Sequence, residues 1–259
     1  MTAVAPLLVP VLMYHEIADI AATSSRLAVA PDVFAEQIAY LSDAGFTAIT
    51  AGALAASLAG SGKELPARPV VLTFDDGYGD FYSQALPLLK QYGYTATLFQ
   101  TTGGVDVADG EKRMMSWHEL AEAAAAGIEI GAHTVKHPQL DQLPPAKLHE
   151  ELYVSKSQLE EHLGMAVPGL AYPYGYSNER VRQVAREIGY AYAYAVDNAM
   201  TARGTDSFTL PRLTVKRTTT MESFRKMVNG HDTLTLRRDR ALSGAFSVVR
   251  RAKAGLRVA

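Results

Sequence analysis

A chain of 259 residues fits one large α/β domain or two smaller ones, and supports a sizeable core either way. Hydrophobic residues at 48% and charged residues at 20% are ordinary for a soluble globular protein, which excludes a fibre or a mostly disordered chain. The net charge of −2 shows no basic excess for neutralising phosphates, so no nucleic-acid partner is expected, and the absence of cysteine restricts any metal site to His, Asp and Glu.

The apolar opening, Met1 to Met13, has no Lys or Arg before Arg26 and is interrupted by Pro6 and Pro10, which argues against a signal peptide and for a cytoplasmic protein. No apolar run reaches the ~20 residues of a membrane span. From there, short β-branched or apolar runs alternate with helical patterns, as in repeated βα units around a parallel sheet. The expected strands are Val9 to Tyr14, Phe46 to Ile49, Val70 to Phe74, Thr95 to Gln100, Ile128 to Ala132, Gly169 to Tyr172, Tyr190 to Val196 and Phe208 to Leu210. Helix signals fall between them: Pro31 opening Asp32 to Ala44, a capping box at Ser116 and Glu119, Pro144-Pro145 before a helix with Leu148, Leu152, Leu159 and Leu163 on one stripe, and a second box at Thr219 and Glu222. Thr101 to Met114 reads as a long loop on the face where barrel active sites assemble. No linker divides the chain, so residues 1–235 are expected to form a single (β/α) barrel of about seven strands, followed by a tail or last helix at 236–259. That tail carries a charge of +6, leaving −8 for the rest; it is either a solvated basic helix face or a weak contact for an anionic membrane or polymer.

Asp75 and Asp76 end a strand that reads as buried, where charge is costly unless paired or metal-bound. Strand alternation points adjacent side chains apart, but a turn at Gly77 lets one reach a metal while the other faces substrate; the competing reading is an Asp-Asp-Gly surface turn. His133 and His137 follow another strand, four residues apart, a spacing that aims both rings one way on a helical turn, although Pro138 disfavours regular helix there. With Asp76 they complete a set of two histidines and one carboxylate that leaves room for water.

The runs Thr73-Phe74-Asp75-Asp76-Gly77, His133-Thr134-Val135-Lys136-His137-Pro138 and Ala171-Tyr172-Pro173-Tyr174-Gly175 resemble, in order and separation, the first three motifs of the polysaccharide deacetylases, the NodB-homology or carbohydrate esterase family four proteins. The resemblance covers roughly residues 8 to 228. It implies a distorted (β/α) barrel that removes an N- or O-acetyl group from a sugar with a divalent metal, usually zinc. Carried over, Asp76, His133 and His137 hold the metal, Asp75 is the general base, the Tyr174 backbone N–H stabilises the oxyanion, and Trp117 lines the acetyl pocket unless it merely packs behind the helix cap at Ser116. His118, His149, His162 and His231 match no motif and read as surface or packing residues.

Two positions depart from the family pattern. Ala171 stands where many members carry the arginine that partners the base, and Leu210-Pro211-Arg212 replaces a Leu-x-His whose histidine is the general acid. Arg212 cannot donate a proton near neutral pH, but it can supply the cation missing at Ala171. His15, ending the first expected strand on the same face, is either the replacement acid or a structural histidine in the barrel mouth. The expected activity is metal-dependent deacetylation of an N-acetylhexosamine glycan or glycoconjugate. The alternatives are cleavage of another C–N bond, as in a cyclic imide or ureide, and a carbohydrate-binding relative without turnover.

Overall fold

The computed structural model describes residues 7–109 and 112–231. In chain order the elements are β1 (Leu8–Val9), β2 (Val11–Tyr14), α1 (Pro31–Asp43), β3 (Thr47–Ile49), α2 (Ala51–Leu58), β4 (Pro69–Asp76), α3 (Leu86–Gln91), β5 (Thr97–Gln100), β6 (Ala108–Asp109), β7 (Lys112–Arg113), α4 (Trp117–Ala125), β8 (Glu129–Ala132), α5 (Pro145–Leu163), β9 (Gly169–Ala171), α6 (Glu179–Ile188), β10 (Tyr192–Tyr194), β11 (Thr201–Ala202), β12 (Leu213–Thr214) and α7 (Met221–Val228).

The main sheet runs β10-β9-β8-β5-β4-β2-β12 with every pairing parallel, and β3 pairs with the first residues of β4. One segment joins its two edges. Leu210 bridges Tyr194 on β10, and three residues later Leu213 and Thr214 pair with Leu12 and Met13 on β2. The sheet therefore curls into a distorted half-barrel whose gap is spanned by residues 210–214, in agreement with the expected fold class.

Strand alternation sorts the core into two layers. Leu12, Tyr14, Val70, Leu72, Phe74, Leu98, Ile130 and Leu170 face the helices, whereas Val11, Val71, Phe99, Ala171, Tyr192 and Tyr194 fill the barrel interior. Helix α2 plugs that interior with Ala51, Leu54 and Ala55, anchored where Ala51 N–H donates to Thr97 Oγ1 and Tyr194 O–H donates to the Ala51 carbonyl. The α5 stripe buries Leu148, Leu152 and Leu159 completely, while Leu163 is only partly covered. Removing one such leucine costs about 2–5 kcal/mol.

Besides shifts of one or two residues at strand ends, several expectations change. The first expected strand breaks at Pro10, which has no N–H to give a ladder, and β1 turns away to pair antiparallel with β11. The expected Phe208 to Leu210 strand shrinks to the single bridge at Leu210, and the pairing strand is β12. The second capping box moves by one residue: Thr220 caps α7 by accepting from Ser223 N–H, and Glu222 pairs with Lys226 instead. The Thr101 to Met114 loop holds the β6–β7 hairpin and is tied to the turn after β4, since Met115 N–H donates to the Gly77 carbonyl. The boundary at 235 and the basic tail 236–259 lie outside the described residues. Among the described residues no helix is long and apolar enough to cross a membrane.

Candidate metal and catalytic site

The site sits at the C-terminal ends of the parallel strands, as barrel topology dictates. Within β4, Thr73 and Asp75 share the interior face and both receive hydrogen bonds from Arg212 Nη1, at 3.3 and 2.7 Å. Arg212 Nη2 reaches the other Asp75 oxygen at 2.8 Å, making a two-pronged pair, and Arg212 Nε donates to the Ala195 carbonyl. Arg212 has no solvent exposure and Asp75 almost none. Burial pushes the Asp75 carboxyl up, but Arg212, His133 and His15 together outweigh it and hold the pKa down at about 2.

Alternation alone would send Asp76 to the helix side with Phe74. Instead Asp76 adopts φ +75°, followed by Gly77 at φ +89°, so the reversal begins one residue before the expected glycine turn and lifts the carboxylate over the barrel mouth. There Asp76 Oδ1 lies 3.6 Å from His133 Nε2 and 3.5 Å from His137 Nε2. Gly77 is required at its own position, because a Cβ would sit 1.9 Å from Gln100 Oε1.

His133 and His137 do not share a helical turn. They flank a bend with left-handed backbone at Thr134 and His137, which brings the rings together edge to face with centroids 4.8 Å apart. The bend is held twice: Thr134 Oγ1 accepts from His137 N–H, and one Glu151 oxygen on α5 accepts from both Val135 and Lys136 N–H at 2.9 Å. Burial and the neighbouring His133 lower the His137 pKa well below the usual imidazole value, although Asp76 opposes them.

These residues fit a divalent ion. Ligand atoms of Asp76, His133 and His137 all lie within 4.8 Å of one another. Their carboxylate-to-imidazole spacings of 3.5 and 3.6 Å approach the ~3.3 Å edge of a tetrahedron with zinc-like bonds of ~2.0 Å. His133 Nδ1 lies 2.7 Å from the Ala171 carbonyl, a contact that commits Nδ1 to donation and leaves the Nε2 lone pair for the metal.

The other expected residues divide. His15 comes close enough to feel Asp75, Asp76, Arg212 and His133, its pKa is lowered chiefly by burial, and its buried Nδ1 has no hydrogen-bond partner among the described residues. Tyr174 packs its ring against His137 with centroids 4.6 Å apart. Trp117 lies elsewhere, at the start of α4, with its ring stacked at 3.8 Å on His162 of α5. His118 pairs with Glu122, His149 stacks on Tyr153, and His231 follows α7, so none of these joins the cluster.

Three contributors escape sequence reasoning. Glu151 stands among the charges of a helix face and reads as solvated. The Ala171 carbonyl is backbone and leaves no side-chain signal. Tyr78, two residues past the acid pair, hydrogen-bonds Asp76, and burial together with that carboxylate raises its pKa.

A family model of the polysaccharide deacetylases matches residues 62–193. YxkH of Bacillus subtilis is 30% identical over 210 residues, covering 81% of this chain and 72% of YxkH. The poly-beta-1,6-N-acetyl-D-glucosamine N-deacetylase of Staphylococcus aureus is 28% identical over 166 residues, covering 59% of this chain, which spans only 56% of that relative. Among solved structures, the Streptococcus pyogenes deacetylase PplD, in complex with acetate, superposes with a TM-score of 0.79 at 28% identity, over 86% of this chain and 99% of that one. The chain belongs to the polysaccharide deacetylase family, hydrolases of carbon–nitrogen bonds.

Proposed function

We propose that this chain is a zinc-dependent N-deacetylase of N-acetylhexosamine units in a glycan. The reading rests above all on one observation: Asp76, His133 and His137 converge as a ligand set, while the adjacent Asp75 is kept apart from them by its two-pronged pair with Arg212. Two neighbouring carboxylates thus hold different jobs.

A divalent ion on Asp76, His133 and His137 would acidify a water and polarise the acetyl carbonyl. Asp75, ionised at neutral pH, takes the proton of the attacking water. Each of its oxygens gives one lone pair to Arg212 and keeps another, and Oδ2 lies 3.9 Å from His133 Nε2, on the side of the ligand set. The Tyr174 N–H, on the left-handed turn against His137, donates to the tetrahedral oxyanion. His15 delivers a proton to the leaving nitrogen. Around Tyr78, which hydrogen-bonds Asp76, a cavity of about 830 Å³ is lined by Glu16, Thr23, Asp80 and Ser83 together with Ala18, Ala21 and Ala22, so it offers both polar groups for sugar hydroxyls and methyl groups for the apolar sugar face.

The relative from Staphylococcus aureus acts, by its name, on poly-beta-1,6-N-acetyl-D-glucosamine, and acetate, the product of this chemistry, is bound in the PplD structure. The deciding experiment measures acetate release from β-1,6-linked N-acetylglucosamine oligomers and from chito-oligosaccharides, with metal content determined on the same sample. Acetate release that tracks zinc occupancy supports the reading. A fully zinc-loaded protein that releases no acetate from either substrate overturns it.

A further inference from the structure

Beside the ligand set, the chain builds a surface the hydrolytic machinery does not use. Tyr174 is 53% exposed, and its ring lies 5.8 Å from that of Tyr176 with the planes only 25° apart. That separation is an offset stack rather than a face-to-face sandwich, so the two rings form a stepped aromatic surface. Its presentation is costly. Tyr174 sits at φ +60°, a left-handed conformation that a non-glycine residue adopts under strain, and Gly175 continues at φ +73°. A Cβ on Gly175 would lie 2.7 Å from the Val196 backbone N and Cβ, so no other residue fits the turn that sets the two tyrosines side by side. Tyr153 is as exposed as Tyr174, at 52%, but its ring stacks on His149 along helix α5. The Tyr174–Tyr176 pair instead adjoins a metal ligand, His137.

We infer that the rings of Tyr174 and Tyr176 form a stacking platform for a pyranose unit next to the one being deacetylated. A pyranose presents a flat C–H face that complements an aromatic face. The platform therefore favours a chain of sugars over a single acetylated sugar. This inference rests on the deacetylase reading and narrows it to an oligomeric substrate.

The test compares wild type, Tyr176→Ala and Tyr176→Trp, all zinc-loaded, on a β-1,6-linked N-acetylglucosamine pentasaccharide and on 4-nitrophenyl acetate. Tyr176→Ala should lower kcat/KM on the pentasaccharide about tenfold or more, mainly through KM, with a loss on the ester at least tenfold smaller, and Tyr176→Trp should recover most of it. Equilibrium binding of the fully de-N-acetylated pentasaccharide should weaken in the same order. Equal losses on both substrates, or unchanged binding in Tyr176→Ala, overturn the platform. If wild type binds the pentasaccharide but releases no acetate, the deacetylase reading fails on this substrate while the binding series still decides the platform.

Discussion

Arg212 reaches Asp75 across the barrel from the segment that closes the sheet, so the cation that holds this carboxylate ionised is delivered by the same five residues, 210–214, that join β10 to β2. Ala171 carries no cation, and Arg212 brings one to Asp75 from the loop just before β12, while the Ala171 carbonyl meets His133 Nδ1. Replacing Arg212 with Met should cost about 3–5 kcal/mol, because an unpaired carboxylate is left buried. It should also raise the Asp75 pKa, since burial then acts without its main opponent, and the acidic limb of the activity profile should move to higher pH. In wild type the folded pKa lies below the unfolded value of 3.8, so the pair stabilises the fold fully above about pH 4 and loses that contribution as pH falls through about 2. The Tm gap between wild type and Arg212→Met should accordingly narrow between pH 5 and pH 2. A gap that is constant with pH would sever Arg212 from the titration of Asp75.

The two acids should fail differently. Asp76→Asn, His133→Ala and His137→Ala should each lower zinc content, and stripping zinc with a chelator should abolish turnover while far-ultraviolet circular dichroism still reports a folded barrel. Asp75→Asn should retain zinc yet lose turnover by orders of magnitude, because an amide cannot take the proton. The measurement is elemental analysis beside acetate release. Zinc loss in Asp75→Asn with retention in Asp76→Asn would reverse the assignment.

Glu151 should act on the metal from a distance. Its carboxylate fixes the backbone between His133 and His137, so Glu151→Ala should weaken zinc affinity about 10–100-fold with little change in the ligand set itself. Competition with a chromogenic chelator reads this directly, and unchanged affinity would leave Glu151 a purely structural tether.

What the sequence disclosed follows from what short segments can encode. The acid pair and the two histidines lie within runs of five residues at strand ends, and the barrel follows from alternating strands and helices, so both are legible. Asp76 at φ +75° is not, because alternation places it on the wrong face and only the packed turn corrects it. Helix α2, with Ala and Gly at five of eight positions, has almost no amphipathic pattern, yet it plugs the barrel. The pairing of residues 75 and 212 spans 137 positions, and only the conspicuous arginine after Leu210-Pro211 hints at it.

Gly77→Ala tests the turn itself. A methyl group there meets the buried Gln100 side chain, whose Nε2 donates to the Asp76 and Thr101 carbonyls, and the φ of +89° is strained for alanine. The expected loss is about 1–3 kcal/mol in stability together with a fall in zinc occupancy, since the displaced turn carries Asp76. Denaturant unfolding and zinc content on the same protein check both, and a variant stable and fully loaded would show that the turn has slack.

The general acid follows from which proton donors reach the site. An amide nitrogen cannot depart as an anion at neutral pH, so cleavage requires a donor, and Arg212 is locked as a cation between Asp75 and the Ala195 carbonyl. His15 directly follows β2, interacts with both aspartates, and keeps a buried Nδ1 without a hydrogen-bond partner among the described residues. A structural histidine in the barrel mouth would be expected to satisfy that nitrogen. His15→Ala should therefore lower turnover on an N-acetyl substrate by about 10²–10⁴-fold, the usual worth of a positioned acid, while 4-nitrophenyl acetate, whose leaving group departs as a stable phenolate, loses far less. The ratio of the two losses is the measurement. Equal losses on amide and ester, with zinc content unchanged, would return His15 to a structural role and leave proton delivery to another group.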